Sequence, residues 1–311
     1  MRKLLNTLYI TSANSHLTRD GDNLVVKVDN IEHFRIPIRN IEEVVMFSQL
    51  GASPGAMKLC VEYNVGITFL SPIGHYIASL DRGTRGNVLL RRTQYRIADE
   101  PEKAGLLAQR FIAGKILNQQ KVLSRFVRDY HPEGQVAEKF STCLSFTKQT
   151  LKSLEKLTDK ASIMGLEGAV AQRYFNLFSY LILNKDFYFN GRNRRPPTDP
   201  INAMLSFFYT LLCSSCRAAL QTVGLDAYVG FLHTDRPERS SLALDMMEEL
   251  RAYIVDRFVL SVVNNRQVTL KDFIWQGEKG VFMTEECKKK LLATCNLAKT
   301  KEYGNQTSLS T

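Results

Sequence analysis

The sequence predicts an α+β protein: a small N-terminal β domain, residues 1–87, then a larger all-α C-terminal domain, residues 88–311. Three observations predict it. Short β-rich runs separated by turn signals fill the chain up to Leu80. From about residue 88 the apolar spacing is helical and no convincing strand pair appears. Strands first and helices afterwards argue for two domains and against an alternating βαβ chain. The 311 residues suit two domains, and 44% hydrophobic residues suffice for their cores.

Residues 8–11 form the first β-rich run. Asp20-Gly21 lies between 16–18 and 24–28, a hairpin signature. Residues 35–38 and 43–47 continue the pattern. Ser53-Pro54 opens a short helix through Tyr63, with Pro in its favoured first turn. Residues 66–70 and 75–80 read as another hairpin. Residues 89–98 take helical spacing, and Glu100-Pro101 restarts a helix that His131-Pro132-Glu133-Gly134 ends. Further helices are expected over 136–158, 162–183, 200–222 and 237–257, the third opened by Asp199-Pro200, a cap followed by Pro at the first helical position. Thr284 caps a last helix whose Lys288, Lys289 and Lys290 read as a solvated face. The polar tail from Gly304 reads as disordered.

A formal charge of +10 points to a polyanionic partner. Six cysteines are scattered along the chain: Cys60, Cys143, Cys213, Cys216, Cys287 and Cys295. The start lacks an apolar leader, and no apolar stretch reads as long enough for a bilayer. A cytoplasmic protein with reduced thiols and no membrane association is therefore expected. Cys213 and Cys216 have CxxC spacing but sit in an apolar run without a second ligand pair, so they read as core. The chain has no GxxxxGK[ST], GxGxxG or GxSxG, which argues against nucleotide hydrolysis and a serine-elbow esterase.

The chemistry concentrates in three places. Gly230-Phe231-Leu232-His233 puts a histidine in a loop just before a helix. That helix, Ser241-Leu242-Ala243-Leu244-Asp245-Met246-Met247-Glu248, carries two carboxylates three residues apart on one face. Glu167, in Gly165-Leu166-Glu167-Gly168, sits beside glycines that let another backbone or DNA come close. One histidine and several carboxylates are a ligand set for a divalent ion that handles phosphate. The plainer reading of the acidic pair is a solvated strip, or a salt bridge to Arg251 or Arg239, and both readings stand at this point. Arg82, Arg85, Arg91, Arg92 and Arg96 form one basic cluster, and Arg192, Arg194 and Arg195 another. Phe187, Tyr188 and Phe189 precede the second, a mix suited to DNA backbone contact and end stacking.

Four motifs in order carry a resemblance over nearly the whole chain: Gly86-Asn87-Val88-Leu89-Leu90-Arg91-Arg92-Thr93-Gln94-Tyr95, the Glu167 segment, Arg195-Pro196-Pro197-Thr198-Asp199-Pro200-Ile201-Asn202, and the His233–Glu248 segment. The sequence resembles the CRISPR-associated integrase family (CRISPR-associated protein one), in its detail the type I-C branch. The resemblance implies a metal, Mg²⁺ or Mn²⁺, held by Glu167, His233 and Glu248, with Asp245 close by as a further catalytic carboxylate. Many relatives have Asp where this chain has Glu248. It implies a homodimer formed through the β domain and a partner, CRISPR-associated protein two. It further implies the DNA substrates, a duplex with 3′-hydroxyl ends and a repeat target; the two basic clusters offer Arg82, Arg85, Arg192, Arg194 and Arg195 as candidate DNA contacts. The expected activity is metal-dependent spacer integration by 3′-hydroxyl attack on a phosphodiester. A metal-dependent endonuclease on branched DNA, and a non-catalytic DNA-binding scaffold, are the alternatives.

Overall fold

The computed structural model describes residues 7–72, 74, 76–80, 87–193 and 196–306. Arg82, Arg85, Arg194 and Arg195 lie outside the described residues. The chain divides into two compact units, one of Met1–Gly83, Asp272–Ile274 and Phe282–Thr311, the other of Thr84–Lys271 and Trp275–Val281. The C-terminal stretch thus groups with the β-strands, where the sequence led us to expect one continuous helical domain.

The first unit holds two sheets. In one, β1 (Thr7–Ile10), β5 (Glu43–Met46), β6 (Gly66–Leu70) and β7 (Tyr76–Leu80) lie side by side. β5 is central and parallel to both β1 and β6. Its Val44, Val45 and Met46 are all buried, the unbroken apolar run a strand needs when both faces are covered. Helix α1 (Pro54–Glu62) makes the crossover from β5 to β6, and Ser53 caps it by accepting from the Ala56 amide at 3.2 Å. In the other sheet β2 (Ser15–Asp20), β3 (Asn23–Val28) and β4 (Ile31–Pro37) form an antiparallel meander. Gly21 turns the β2–β3 hairpin at φ +57°, as Asp20-Gly21 predicts. Leu17, Leu24, Ile38, Val44, Leu59 and Ile67 meet in one core.

Two short strands, β8 (Phe273–Trp275) and β9 (Val281–Met283), pair late in the chain. Three-residue strands are too short to show alternation, and the signal that remains is Gly277 and Gly280, both at positive φ. The last helix, α9 (Glu285–Gln306), takes in Gly304–Gln306, expected to lack structure. Lys288 departs from the expected solvated face. It is buried, and its Nζ donates to the Pro72 carbonyl and to Glu285 Oε1.

The second unit is helical: α2 (Val88–Asp99), α3 (Pro101–Tyr130), α4 (Gly134–Leu154), α5 (Lys160–Phe178), α6 (Pro200–Thr222), α7 (Ser241–Leu250) and α8 (Arg257–Asn264). A π-helical turn, Arg251–Asp256, joins the last two. α6 is long and apolar enough to cross a membrane, by length and composition alone, although the sequence reading found no such stretch. It serves here as a core helix, with 67% of its most apolar window buried. Ala108, Ile112 and Ile116 of α3 pack with Leu154, Ile163 and Val170, and Leu232 from the loop before α7 joins them.

Candidate active site

α3 supplies an apolar stripe, Ala104, Ala108, Ile112 and Ile116, all fully buried. Lys115 and Gln119 interrupt it, and both are buried as well. At Gly114 an added Cβ would stand 2.9 Å from Glu249 Oε2 and 3.0 Å from Glu249 Cβ. Glycine therefore lets α7 press against α3 at the turn that carries Lys115.

Lys115 Nζ donates to Glu248 Oε2 on α7 at 2.6 Å and to Glu167 Oε1 on α5. Arg251 holds the other Glu248 oxygen, Oε1, at 3.0 Å. The plainer reading, a salt bridge to Arg251, is thus real and coexists with the site. Burial pushes the Glu248 carboxyl up, but the Lys115 and Arg251 charges outweigh it and hold the group below its ordinary value. Glu167 stays more open, its side chain 24% exposed. Among the described residues, and leaving aside the helix's own backbone, no heavy atom lies within 4 Å of a Cβ built at Gly165 or Gly168, which leaves room beside Glu167.

Asp245 does different work. Fully buried, it accepts from the backbone amides of Phe231, Leu232 and His233 at 2.6, 2.9 and 3.0 Å, and it meets His233 Nδ1 at 2.6 Å. An ionised carboxylate only accepts, so the proton sits on Nδ1 and the Nε2 lone pair is left free. The loop passes so close that a Cβ at Gly230 would lie 2.9 Å from Asp245 Oδ2. From the other side Gln94 donates to the carbonyls of Asp226 and Val229 and accepts from the Asp226 amide, Tyr95 donates to Asp226 Oδ2, and Asn87 donates to the Val223 carbonyl. The Ala227 carbonyl accepts from the Leu242 and Ala243 amides in the first turn of α7.

Behind Glu248 runs a buried polar chain. The Arg251 guanidinium stands over the Tyr209 ring, 5.0 Å from its centroid. Tyr209 and Tyr174 both donate to Asp256, at 2.5 and 2.9 Å. Burial pushes the Asp256 carboxyl up to about 6, against the pull of both hydroxyls and of Arg251 and Arg192. Its folded-state value exceeds its unfolded one, so the folded chain holds a proton that the unfolded chain has lost. Stability from this group is therefore present at low pH and declines as pH rises toward and through about 6. For Asp256→Asn, which cannot titrate, the melting temperature relative to wild type should rise between about pH 5 and pH 8. A gap that stays constant with pH would show that Asp256 does not titrate in the folded protein.

The structure gathers Glu167, Glu248, Asp245 and His233 in one locality. Among the described residues, no three His, Cys, Asp or Glu side chains converge closely enough to hold a metal ion. The two carboxylates converge instead on the Lys115 ammonium. That ammonium is itself a cation seated between them, and two carboxylates beside a free imidazole nitrogen suit a hard divalent ion. Sequence reading missed Lys115, and it named Arg251 only as a salt-bridge partner and Gln94 only as part of a motif. Of the expected DNA contacts that are described, Arg192 donates to Asn202 Oδ1 and Ser206 Oγ. Phe187 and Phe189 are buried, Phe189 against Phe175 and Phe178, and only Tyr188 faces out, 71% exposed.

A family model described as CRISPR associated protein Cas1 matches residues 8–296. The CRISPR-associated endonuclease Cas1 1 of Chlorobaculum tepidum is 40% identical over 304 residues, 97% of this chain and 88% of that one. The CRISPR-associated endonuclease Cas1 2 of Rhodospirillum rubrum is 41% identical over 307 residues, again 97% and 88%. A casposase bound to integration product superimposes with a TM-score of 0.81 at 24% identity, covering 95% of this chain and 82% of that one. A Cas1 protein from Thermotoga maritima gives 0.79 at 22%, covering 93% and 88%. These two likenesses speak to the fold.

Proposed function

The chain belongs to the Cas1 family of CRISPR-associated proteins, and from that membership we propose that it is a divalent-metal-dependent DNA endonuclease and integrase. It inserts new spacers into a CRISPR array by attack of a DNA 3′-hydroxyl on a phosphodiester. The curated relatives are named for the same enzyme class, CRISPR-associated endonucleases. The observation that carries the reading is the pair Glu167 and Glu248 closing on one cation while Asp245 orients His233.

Glu167, Glu248 and His233 Nε2 would hold the ion, Mg²⁺ or Mn²⁺. Bound there, it supplies neutralisation of the acids, polarisation of the scissile phosphate and acidity for the attacking hydroxyl. Asp245 keeps Nδ1 protonated and Nε2 free. Arg251 fixes Glu248 from behind. The open surface at Gly165 and Gly168 gives a DNA backbone room beside Glu167. Exchange of one phosphodiester for another is nearly neutral in energy, so the reaction has no need of the nucleotide loop the sequence lacks. The substrates are a duplex with 3′-hydroxyl ends and a repeat target, contacted by Arg82, Arg85, Arg192, Arg194 and Arg195. The protein partners are CRISPR-associated protein two and a second copy of the chain. Ile31 and Phe34 on edge strand β4, and Ile77 on edge strand β7, are exposed apolar groups that such a pairing would cover.

At micromolar concentration, where light scattering should give a dimer mass, the protein with its partner should join a 3′-hydroxyl duplex to a supercoiled repeat target. The reaction should require Mn²⁺ or Mg²⁺, need no ATP, and stop with dideoxy ends. Equal joining of dideoxy-ended DNA would sink the integrase reading. Target hydrolysis alone would favour the nuclease on branched DNA, and binding without either reaction would favour the scaffold.

A further inference from the structure

We propose that Lys115 is the internal counter-ion of this site. It holds Glu167 and Glu248 together in the metal-free protein, competes with the divalent ion for the same carboxylate oxygens, and moves to Gln119 when the ion enters. The inference rests on the metal-site reading above.

Charge balance is the first argument. Glu167 and Glu248 bring two negative charges, Lys115 and Arg251 two positive ones, in a setting where Lys115 and Glu248 side chains are only 7% and 6% exposed. A lysine on the apolar stripe of α3 is tolerated because both acids answer it. The occupancy of Glu248 is the second argument. Oε2 is engaged by Lys115 and Oε1 by Arg251. A divalent ion entering with Lys115 still in place would stand beside an ammonium bonded to the same oxygens. Repulsion at that range, in a buried setting, favours departure of the ammonium. Arg251 is the less mobile of the two cations, since it also lies over Tyr209.

The third argument is a place to go. Gln119 lies one helical turn beyond Lys115 on the same face of α3, 3% exposed, and its Oε1 has no hydrogen-bond partner among the described residues. Helical side chains lean toward the N-terminus, which brings this amide back over the turn of Lys115. A buried acceptor left without a donor is costly, and a freed ammonium removes that cost. The site therefore has two arrangements, and the ion selects between them by its differential affinity.

Mn²⁺ binding to the full chain, read by electron paramagnetic resonance, tests this together with melting temperature with and without Mn²⁺. Lys115→Met should bind Mn²⁺ more tightly by on the order of tenfold, because the repulsion from the ammonium is gone. It should also melt lower without metal and gain more on adding it. Gln119→Leu should bind Mn²⁺ more weakly, with no loss of metal-free stability. Unchanged or weaker binding in Lys115→Met overturns the proposal. Glu167→Gln separates the two readings: if it keeps full Mn²⁺ binding, the metal site itself is wrong, whereas if it loses binding while Lys115→Met binds like wild type, only the counter-ion role fails. Should Lys115→Met not fold, the wild-type protein with ¹⁵N-labelled lysine decides. The Lys115 ammonium signal, identified by its absence in Lys115→Arg, must move on adding Mg²⁺, and a signal that stays fixed overturns the proposal.

Discussion

Alanine at Glu167, His233 or Glu248 is expected to abolish DNA strand transfer, by at least about a thousandfold or roughly 4 kcal/mol of transition-state stabilisation. DNA affinity should stay within a few-fold of wild type. The two quantities separate because they rest on different contacts: the rate depends on two carboxylates and one imidazole, whereas affinity is distributed over many phosphates. The three variants should differ in stability. Glu167 is partly exposed and gives up one ion pair, a modest loss. Glu248→Ala leaves the buried Lys115 and the Arg251 head without their shared anion, which costs about 3–5 kcal/mol where a buried pair is broken. Glu248→Gln is the cleaner probe, since it keeps an oxygen for one of them. Strand transfer and filter binding, run on the same preparations, check the prediction. Wild-type rates in any variant, with metal present, would remove that residue from the site.

Asp245→Ala should damage the scaffold about as much as Glu248→Ala. Three backbone amides and an imidazole N–H would lose one acceptor at once, inside a fully buried pocket. Each stranded donor costs about 1–3 kcal/mol, and relaxation of the loop recovers part of the sum. A net loss of about 3–5 kcal/mol would lower the melting temperature by roughly 10 °C in a unit of this size. Strand transfer should vanish with it, because His233 would lose both its tautomer control and its place. A melting temperature within about 2 °C of wild type would mean that the loop is held by something other than Asp245.

Much of this was legible in the sequence. Ser53-Pro54 and Asp199-Pro200 marked helix starts because a capping oxygen and a fixed φ are local requirements. The β2–β3 hairpin followed from Asp20-Gly21 in the same way. Glu167, His233 and Glu248 were visible as residues whose chemistry matches their motifs. What the motifs did not reveal was which residues answer them. Lys115 was hidden in a 30-residue helix, although a lone lysine on the stripe Ala108, Ile112, Ile116 was a usable signal. Asp245 and Glu248 share a helix face by spacing, yet one anchors a loop and the other faces a cation, because the partners come from distant segments. The pairing of β8 with β9, and the grouping of α9 with the strands, depend on contacts that no local pattern encodes. Phe187 and Phe189 were misleading for a related reason: a loop aromatic reads the same whether it stacks outward or fills a core.

The distances along the chain have a consequence for synthesis. Lys115 meets Glu167 across 52 positions and Glu248 across 133, and Gln94 reaches the loop at Asp226 across 132. Closing such long loops is slow and must be completed together with the helices that carry them. A nascent chain that has not yet delivered α7 and Arg251 has neither the second carboxylate nor the clamp on the histidine loop. The centre therefore cannot form before α7 has been made: a fragment truncated before α7 lacks Asp245, Glu248 and Arg251 together and is expected to be inert.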